Sequence, residues 1–280
     1  MLLITGATGN IGRALVSELS TRGAKVRALS RDAARVAALP GQVERAVGDL
    51  AEPSTLPPVF DGVERVFLLT PGLGTDNVAN AVAAARAAGV RQVVLLSSNN
   101  VLGDPMPLMG RWHHEREELV RASGVPWTIL RPGGFMSNAL EWRESVRAGV
   151  VLDPVGPGRF APIDTADIAA VAAVILTSGG HEGAAYELTG AELMTVADQV
   201  GILAAALGRE LVVRAAQSPE EVVRSRFAHG APPVLAAALV EGFERMRADV
   251  VGRRTETVER LLGRAPRTFA DWCARHAGAF

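Results

Sequence analysis

One cysteine, Cys273, stands among 280 residues, too few for a disulfide framework or a thiolate metal cluster. Its plain reading is a helix residue near the C-terminus. An excess of charge of one sign is missing too. A net charge of −1 leaves no overall field that would draw the chain to nucleic acid or to an anionic membrane. Arginine far outnumbers the single lysine, Lys25, and alanine is abundant. That pattern reads as a coding bias, and no basic, aromatic strand pattern accompanies it, so no nucleic-acid readout is expected. No apolar run approaches the length of a membrane span. No charged-then-apolar leader precedes the first apolar run at Met1, so the expected compartment is the cytoplasm, with no membrane partner. His181, His229 and His276 lack metal-ligand spacing, and no metal site is expected. There is a single tyrosine, Tyr186.

What is present begins at the N-terminus. Leu2, Leu3 and Ile4 form a short strand-like run, and Gly6, Gly9 and Gly12 follow at three-residue spacing. Residues 13–19 then read as a helix with Ala14, Leu15 and Leu19 on one face. Strand, glycine turn and helix together are the context of a dinucleotide-binding turn. Gly6 permits the sharp turn, Gly9 lets a pyrophosphate approach the backbone, and Gly12 lets the helix pack close to the strand. Free N–H groups and the helix dipole favour an anion there.

Residues 25–29 read as a second strand ending in Ser30-Arg31-Asp32. An acidic side chain at this point accepts from a ribose 2′-hydroxyl, whereas an arginine pairs with a 2′-phosphate. Arg31 and Asp32 are adjacent, and Asp32 also suits the cap of a helix over 33–39. Arg13 stands ready to flank the same phosphate. Two arginines with no acid directly at the strand end favour NADP(H) over NAD(H). Residues 43–47 read as a third strand, followed by Asp49, which either bonds the adenine edge or makes a turn. Pro53, Pro57 and Pro58 forbid a long helix. Strands over 65–69, 92–96 and 125–130 end in Thr70-Pro71, Ser97-Ser98-Asn99-Asn100 and Arg131-Pro132-Gly133-Gly134. A helix over 77–88 is closed by Gly89. Five strand–helix units with apolar strands predict an α/β fold with a doubly wound parallel sheet.

After Gly134 the pattern changes. A helix is expected over 135–148, a loop or hairpin over 150–159, a helix over 165–176 capped by Asp164 or Thr165, and a strand over 185–189. Helices follow over 196–207, 219–228, 232–247, 256–262 and 268–276, with a short strand at 211–214. The expected division is a dinucleotide-binding Rossmann domain over 1–134 and 161–190, and a smaller, mostly helical, substrate-binding cap over 135–160 and 191–280.

These residues resemble the NmrA-like group of atypical short-chain dehydrogenases/reductases, close to its quinone-reductase-like bacterial members. The resemblance rests on Thr5-Gly-Ala-Thr-Gly-Asn-Ile-Gly12, Gly48-Asp49-Leu50, Ser123-Gly-Val-Pro-Trp-Thr-Ile-Leu-Arg-Pro-Gly-Gly-Phe-Met136, Asn138, Pro162-Ile-Asp-Thr-Ala-Asp-Ile-Ala169 and Tyr186-Glu-Leu-Thr-Gly190. It covers nearly the whole chain and implies an NAD(P)-binding domain with a small cap. The group mixes reductases with redox sensors. With the strand-end argument, it assigns Gly6, Thr8, Gly9, Asn10, Ile11, Gly12, Arg31, Asp49, Leu50, Thr70, Pro71, Ser97, His113 and Pro132 to the cofactor.

Ordinary members of the wider superfamily reduce carbonyls with a tyrosine and a lysine four residues later. Tyr186 lies in a late strand and Lys25 in the second, so that dyad is absent. His113 falls where many NmrA-like members place a lysine, and Glu117 shares its helix face. His113 is therefore a candidate proton donor, its alternative being contact with the nicotinamide ribose or amide. Ser97 and Ser98 are candidates for bonding a substrate carbonyl, with Asn99 a weaker one; each of the serines also suits ending the strand. Asp164 and Asp167 read as helix-start carboxylates with a structural role. Trp112, Trp127, Trp142, Phe135 and Met136 read as core or pocket wall.

The leading expectation is an NADPH-dependent reductase acting on a small electron-poor acceptor, a quinone, enone or ketone. A quinone needs little acid catalysis, which suits a site without a Tyr–Lys pair. A non-enzymatic NADP(H) sensor and a redox-neutral isomerase or cyclase are the alternatives. The apolar stretch 232–240 is cap core, a homodimer helix or a sensor's contact.

Overall fold

The computed structural model describes residues 1–39, 41–227 and 230–280. Nine strands alternate with twelve α-helices among these residues. The first half runs β1 (Leu2–Ile4), α1 (Asn10–Thr21), β2 (Val26–Ser30), α2 (Ala33–Ala37), β3 (Glu44–Val47), α3 (Leu56–Phe60), β4 (Arg65–Leu68), α4 (Asp76–Ala87), β5 (Gln92–Leu96), α5 (Leu108–Ala122) and β6 (Trp127–Pro132). The second half runs α6 (Arg143–Arg147), β7 (Val150–Asp153), α7 (Thr165–Thr177), β8 (Ala184–Leu188), α8 (Val196–Leu207), β9 (Val212–Ala215), α9 (Pro219–Arg226), α10 (Pro233–Arg247), α11 (Thr257–Leu262) and α12 (Phe269–His276).

Seven strands form one parallel sheet in the order β3-β2-β1-β4-β5-β6-β8. The order reverses beside β1, the arrangement of a doubly wound sheet. β4 and β5 are almost wholly buried, as expected of strands covered on both faces. One face packs on α1 and α7: Ile11, Leu15, Val16 and Leu19 meet Ile168, Val171, Ala172 and Ile175. The opposite face holds Leu56, Phe60, Val78, Val82 and Val120. A third cluster gathers Met136, Val146, Val151, Val200, Leu203, Phe269 and Trp272. Trp272 stacks between Phe269 and His276.

Several boundaries differ from the sequence reading. α1 starts at Asn10, inside the glycine turn. β6 runs two residues past its expected end, so Arg131 and Pro132 belong to the strand. Proline is tolerated because it ends the strand, and the ladder continues through Gly133 N–H to Leu188 O at 2.9 Å. The helix expected over 135–148 divides into a 3₁₀ segment (Met136–Trp142) and α6; Ser137 and Asn138 are weak helix formers. The expected loop or hairpin over 150–159 is instead opened by β7, which pairs in parallel with β9. The end of the helix expected over 219–228 and His229 lie outside the described residues.

The carboxylates Asp164 and Asp167 tie the C-terminal elements to α7. Asp164 caps α7 through Ala166 N–H at 2.9 Å and pairs with Arg275. Asp167, fully buried, accepts from Arg264 at 2.7 Å, from the Arg267 N–H at 2.7 Å and from the Arg267 side chain. Cys273 sits buried in α12, where burial pushes its thiol up to about 12. No helix among the described residues is long and apolar enough to cross a membrane.

Candidate cofactor and acceptor site

The turn after β1 is built by sterics. Thr5 is buried, and its Oγ1 donates to Leu69 O at 2.8 Å and accepts from Leu69 N–H at 2.8 Å, locking β1 to the end of β4. Gly6 takes φ +62°, a conformation open to glycine. A Cβ on Gly12 would stand 2.1 Å from Gly6 O, inside any permitted contact, so the helix can approach the turn only as glycine. Gly9 is the N-cap of α1, with no side-chain cap and no acidic residue in the first turn. The first amides of α1 thus open onto a cleft of about 350 Å³ lined by Gly6, Thr8, Gly9, Asn10, Ile11, Arg35, Leu69, Phe135, Ser137 and Thr165. Backbone donors, a helix dipole and a guanidinium without an acidic neighbour in the lining fit a pyrophosphate with a further phosphate nearby.

At the end of β2, Asp32 accepts from Ala34 and Arg35 N–H at 2.8 and 3.2 Å and caps α2. Both bonds go to one carboxylate oxygen, Oδ1. Arg31 is largely exposed, with Nη1 3.9 Å from Asp49 Oδ2. Arg13 turns back, its Nε donating to Thr8 O at 2.9 Å. Arg35, which the sequence reading passes over, lines the cleft instead. Its signal is position: the residue lies one helical turn past Arg31, at the mouth of the glycine turn. Asp49 accepts from Ala51 N–H at 3.0 Å as a turn aspartate, and Leu50 is buried with its carbonyl held by Asn80 at 2.8 Å.

The other end of the site is a charged knot. Glu117 on α5 is fully buried. It accepts from Ser97 Oγ at 2.6 Å, from Arg131 Nε and Nη2 at 2.9 and 2.5 Å, and from Arg121 at 3.3 Å. Burial pushes its carboxyl up, but the hydrogen bonds from Arg131 and Ser97 and the charge of Arg131 outweigh that and hold it below the ordinary 4.5. Both Glu117 oxygens are engaged by Ser97 and the arginines, and His113, on the same helix face, makes no hydrogen bond to them. His113 Nδ1 is buried without a hydrogen-bond partner. Burial first, then the charge of Arg116, push His113 down to about 4 against a weaker opposing pull from Glu117. Arg116, itself buried, clamps the loop that carries Thr70 and Pro71 by donating to Gly72 O at 2.5 Å and Gly74 O at 3.1 Å.

Ser98 serves the loop and not the knot. Its Oγ accepts from the Asn100 N–H and Nδ2 at 3.2 and 2.9 Å, capping the turn at 99–102. Tyr186 bonds His181 at 2.9 Å in β8. Arg131 and Arg116 escape the sequence reading as members of the site. A charged residue directly after the buried run Ile129-Leu130 is the available signal for a buried partner. Among the described residues, no group of three or more His, Cys, Asp or Glu could hold a metal ion.

His113 gives a pH prediction whose sign follows from burial. The unfolded imidazole takes a proton near 6.5, the folded one near 4. Above 6.5 neither state is charged. Between 6.5 and 4 only the unfolded state gains the proton, so stability falls as pH drops, by up to about 3 kcal/mol. His113 is expected to stay neutral down to pH 5 in ring-proton NMR spectra; a midpoint near 6.5 would contradict this.

Residues 6–179 match the family described as NAD(P)H-binding. The chain is 38% identical to the NAD(P)H azoreductase of Xenophilus azovorans, covering 100% of this chain and 99% of that protein. It is 39% identical to the (4-alkanoyl-5-oxo-2,5-dihydrofuran-3-yl)methyl phosphate reductase of Streptomyces griseus, covering 100% and 99%. The NADPH complex of an Escherichia coli NADPH-dependent quinone oxidoreductase superposes with a TM-score of 0.86 at 27% identity, over 98% of this chain and 99% of that one. The chain therefore belongs to the NAD(P)H-binding family and is an NAD(P)H-dependent reductase.

Proposed function

We propose that the chain passes hydride from NADPH to a small electron-poor acceptor, with quinone-type rings preferred over simple ketones. The observation that carries this is the state of the protons at the ends of β5 and β6. The hydroxyl proton of Ser97 is committed to Glu117 at 2.6 Å, and His113 is neutral at physiological pH. Neither is poised to protonate an alkoxide as hydride arrives. A quinone collects its charge on phenolate-like oxygens and needs no such donor. The bound nicotinamide supplies the hydride; the protein orients it and excludes water.

In this reading the amides of Gly9, Asn10, Ile11 and Gly12 hold the pyrophosphate, with Gly6 and Thr8 shaping the turn. Arg31 and Arg35 hold the 2′-phosphate, and Asp49 and Leu50 bound the adenine. Thr70, Pro71, Ser97, His113 and Pro132 surround the nicotinamide half. Ser97 acts as an acceptor toward the carboxamide, and Ser98 supports its loop. The third hydrophobic cluster supports a cap over 135–160 and 191–280 on a dinucleotide-binding part over 1–134 and 161–190. The enzyme names of the relatives, azoreductase and furanone-phosphate reductase among them, support a reductase over the sensor and isomerase readings.

Two measurements test this. Steady-state rates with NADPH should favour 1,4-naphthoquinone over cyclohexanone by a large factor; efficient ketone turnover with no quinone turnover would defeat the assignment. Calorimetry should give tighter binding of NADPH than NADH. Arg31→Ala and Arg35→Ala should each weaken NADPH by about 10- to 100-fold, the worth of one charge-assisted hydrogen bond, while leaving NADH nearly unchanged. Equal loss for both nucleotides would place the arginines elsewhere.

A further inference from the structure

A second hollow, of about 40 Å³, opens where the 99–107 loop meets the end of α10 and the segment after it. Its polar wall is Asn99, Asn100, Arg245 and Arg253, and Val250 and Val251 give it an apolar side. The hollow adjoins the acceptor end of the site. Asn99 Nδ2 lies 3.4 Å from the position of a Cβ on Gly133, the residue after β6, and Asn99 follows Ser97 by two residues. Among the described residues, the Asn99 carboxamide makes no hydrogen bond to the protein.

Arg245 donates to Pro105 O at 3.1 Å, and no carboxylate among the described residues pairs with it. Arg253 Nη1 stands 3.6 Å from Glu187 Oε2, a contact too long for a charge-assisted hydrogen bond. Glu241, one turn before Arg245, spends a carboxylate oxygen on the Leu108 N–H at 2.7 Å and makes no ion pair with Arg245, which stands beside two carboxamides able to donate. The hollow has room for a small polar group.

We propose that this hollow is a subsite for one anionic substituent, a sulfonate, carboxylate or phosphate, borne by the electron-poor acceptor. It rests on the acceptor reading above. The ring would lie toward Ser97 and Pro132, with the anion between Arg245 and Asn99. Arg245 is the specificity-determining residue, and Arg253, half-compensated by Glu187, contributes less.

The test compares KM for 1,4-naphthoquinone with that for its 2-sulfonate, on the wild-type protein, Arg245→Gln and Arg253→Gln. The expected wild-type ratio is at least about tenfold in favour of the sulfonate, one charge-assisted contact. It should fall toward unity in R245Q and fall less in R253Q. Comparing ratios between proteins cancels the effect of the sulfonate on the quinone's own potential. An unchanged ratio in both variants, or no wild-type preference while naphthoquinone is turned over, would overturn the subsite and leave the acceptor reading intact. If neither quinone is reduced, the acceptor reading fails. Calorimetry of naphthalene-2-sulfonate, which cannot be reduced, against the NADP⁺-loaded wild type and R245Q then decides the subsite alone: binding lost in the variant supports it, and equal or absent binding overturns it.

Discussion

Glu117→Ala is expected to cost about 3–5 kcal/mol of folding stability, the penalty for leaving buried charges without their partner. That is a large part of the roughly 5–15 kcal/mol that holds a typical domain together. The reason is the company Glu117 keeps. Its carboxylate is fully buried and holds Ser97, Arg131 and Arg121 from three separate elements. Removing it leaves the Arg131 guanidinium, whose side chain is only 17% exposed, facing a cavity. The measurement is urea denaturation: the midpoint should fall sharply at nearly constant slope. Glu117→Gln keeps the volume and one acceptor but turns an amide N–H toward a guanidinium, so it should lie between wild type and alanine. The pH dependence supplies a second readout. The carboxyl of Glu117 sits below 4.5 in the folded state. Its contribution is present above 4.5 and is lost as pH falls through the folded value. Glu117→Gln should lack that portion of the acid loss. A wild-type midpoint for Glu117→Ala would show the knot to be energetically idle.

Gly12→Ala carries the second large effect. The added Cβ would lie 2.1 Å from Gly6 O and 2.7 Å from Ala7 Cα, all backbone, with no flexible side chain to yield. Relief requires α1 to move off the turn, breaking its packing on α7 and misaligning the amides that face the cleft. NADPH affinity should fall by at least about 100-fold, equivalent to about 2.7 kcal/mol, together with a lower thermal midpoint. Gly9→Ala is the informative contrast. A Cβ there meets only Gly6 O, at 3.4 Å, so the fold should survive while the nucleotide's approach is obstructed. Loss of binding with an unchanged midpoint in Gly9→Ala, against loss of both in Gly12→Ala, would separate ligand approach from helix packing. If Gly12→Ala retained both affinity and midpoint, the close helix approach would not matter.

Much of the fold is legible in the sequence because its determinants are local. The run Gln92–Leu96 reads as a strand from its apolar residues and the polar turn that follows, and the structure has it at those residues. The glycine turn reads from sterics alone. The strand Trp127–Pro132 reads as ending two residues early because Arg131-Pro132-Gly133 has the chemistry of a loop. Its strand character comes from the neighbouring β8, in register Arg131 to Glu187. Val150–Asp153 reads as a loop or hairpin because its partner lies at Val212–Ala215, and a pairing that distant leaves no periodic trace.

The same division runs through the site. The residues at the nicotinamide end are legible as strand-end candidates, but their chemistry is not. Helix spacing puts His113 and Glu117 on one face and suggests a proton-donating pair. Only the tertiary structure brings Arg131 to Glu117 first, fourteen positions away, leaving His113 neutral and Ser97 with its proton engaged. What the sequence by itself determined was the dinucleotide turn, the parallel doubly wound sheet and the absence of a Tyr–Lys dyad, since backbone sterics, apolar runs and residue identity are local properties. The tertiary structure alone decided which arginine lines the cleft at the glycine turn, where the buried carboxylate spends its hydrogen bonds and where Arg245 meets the 99–107 loop. Those depend on side chains meeting across elements, and on the burial that sets which charges survive there.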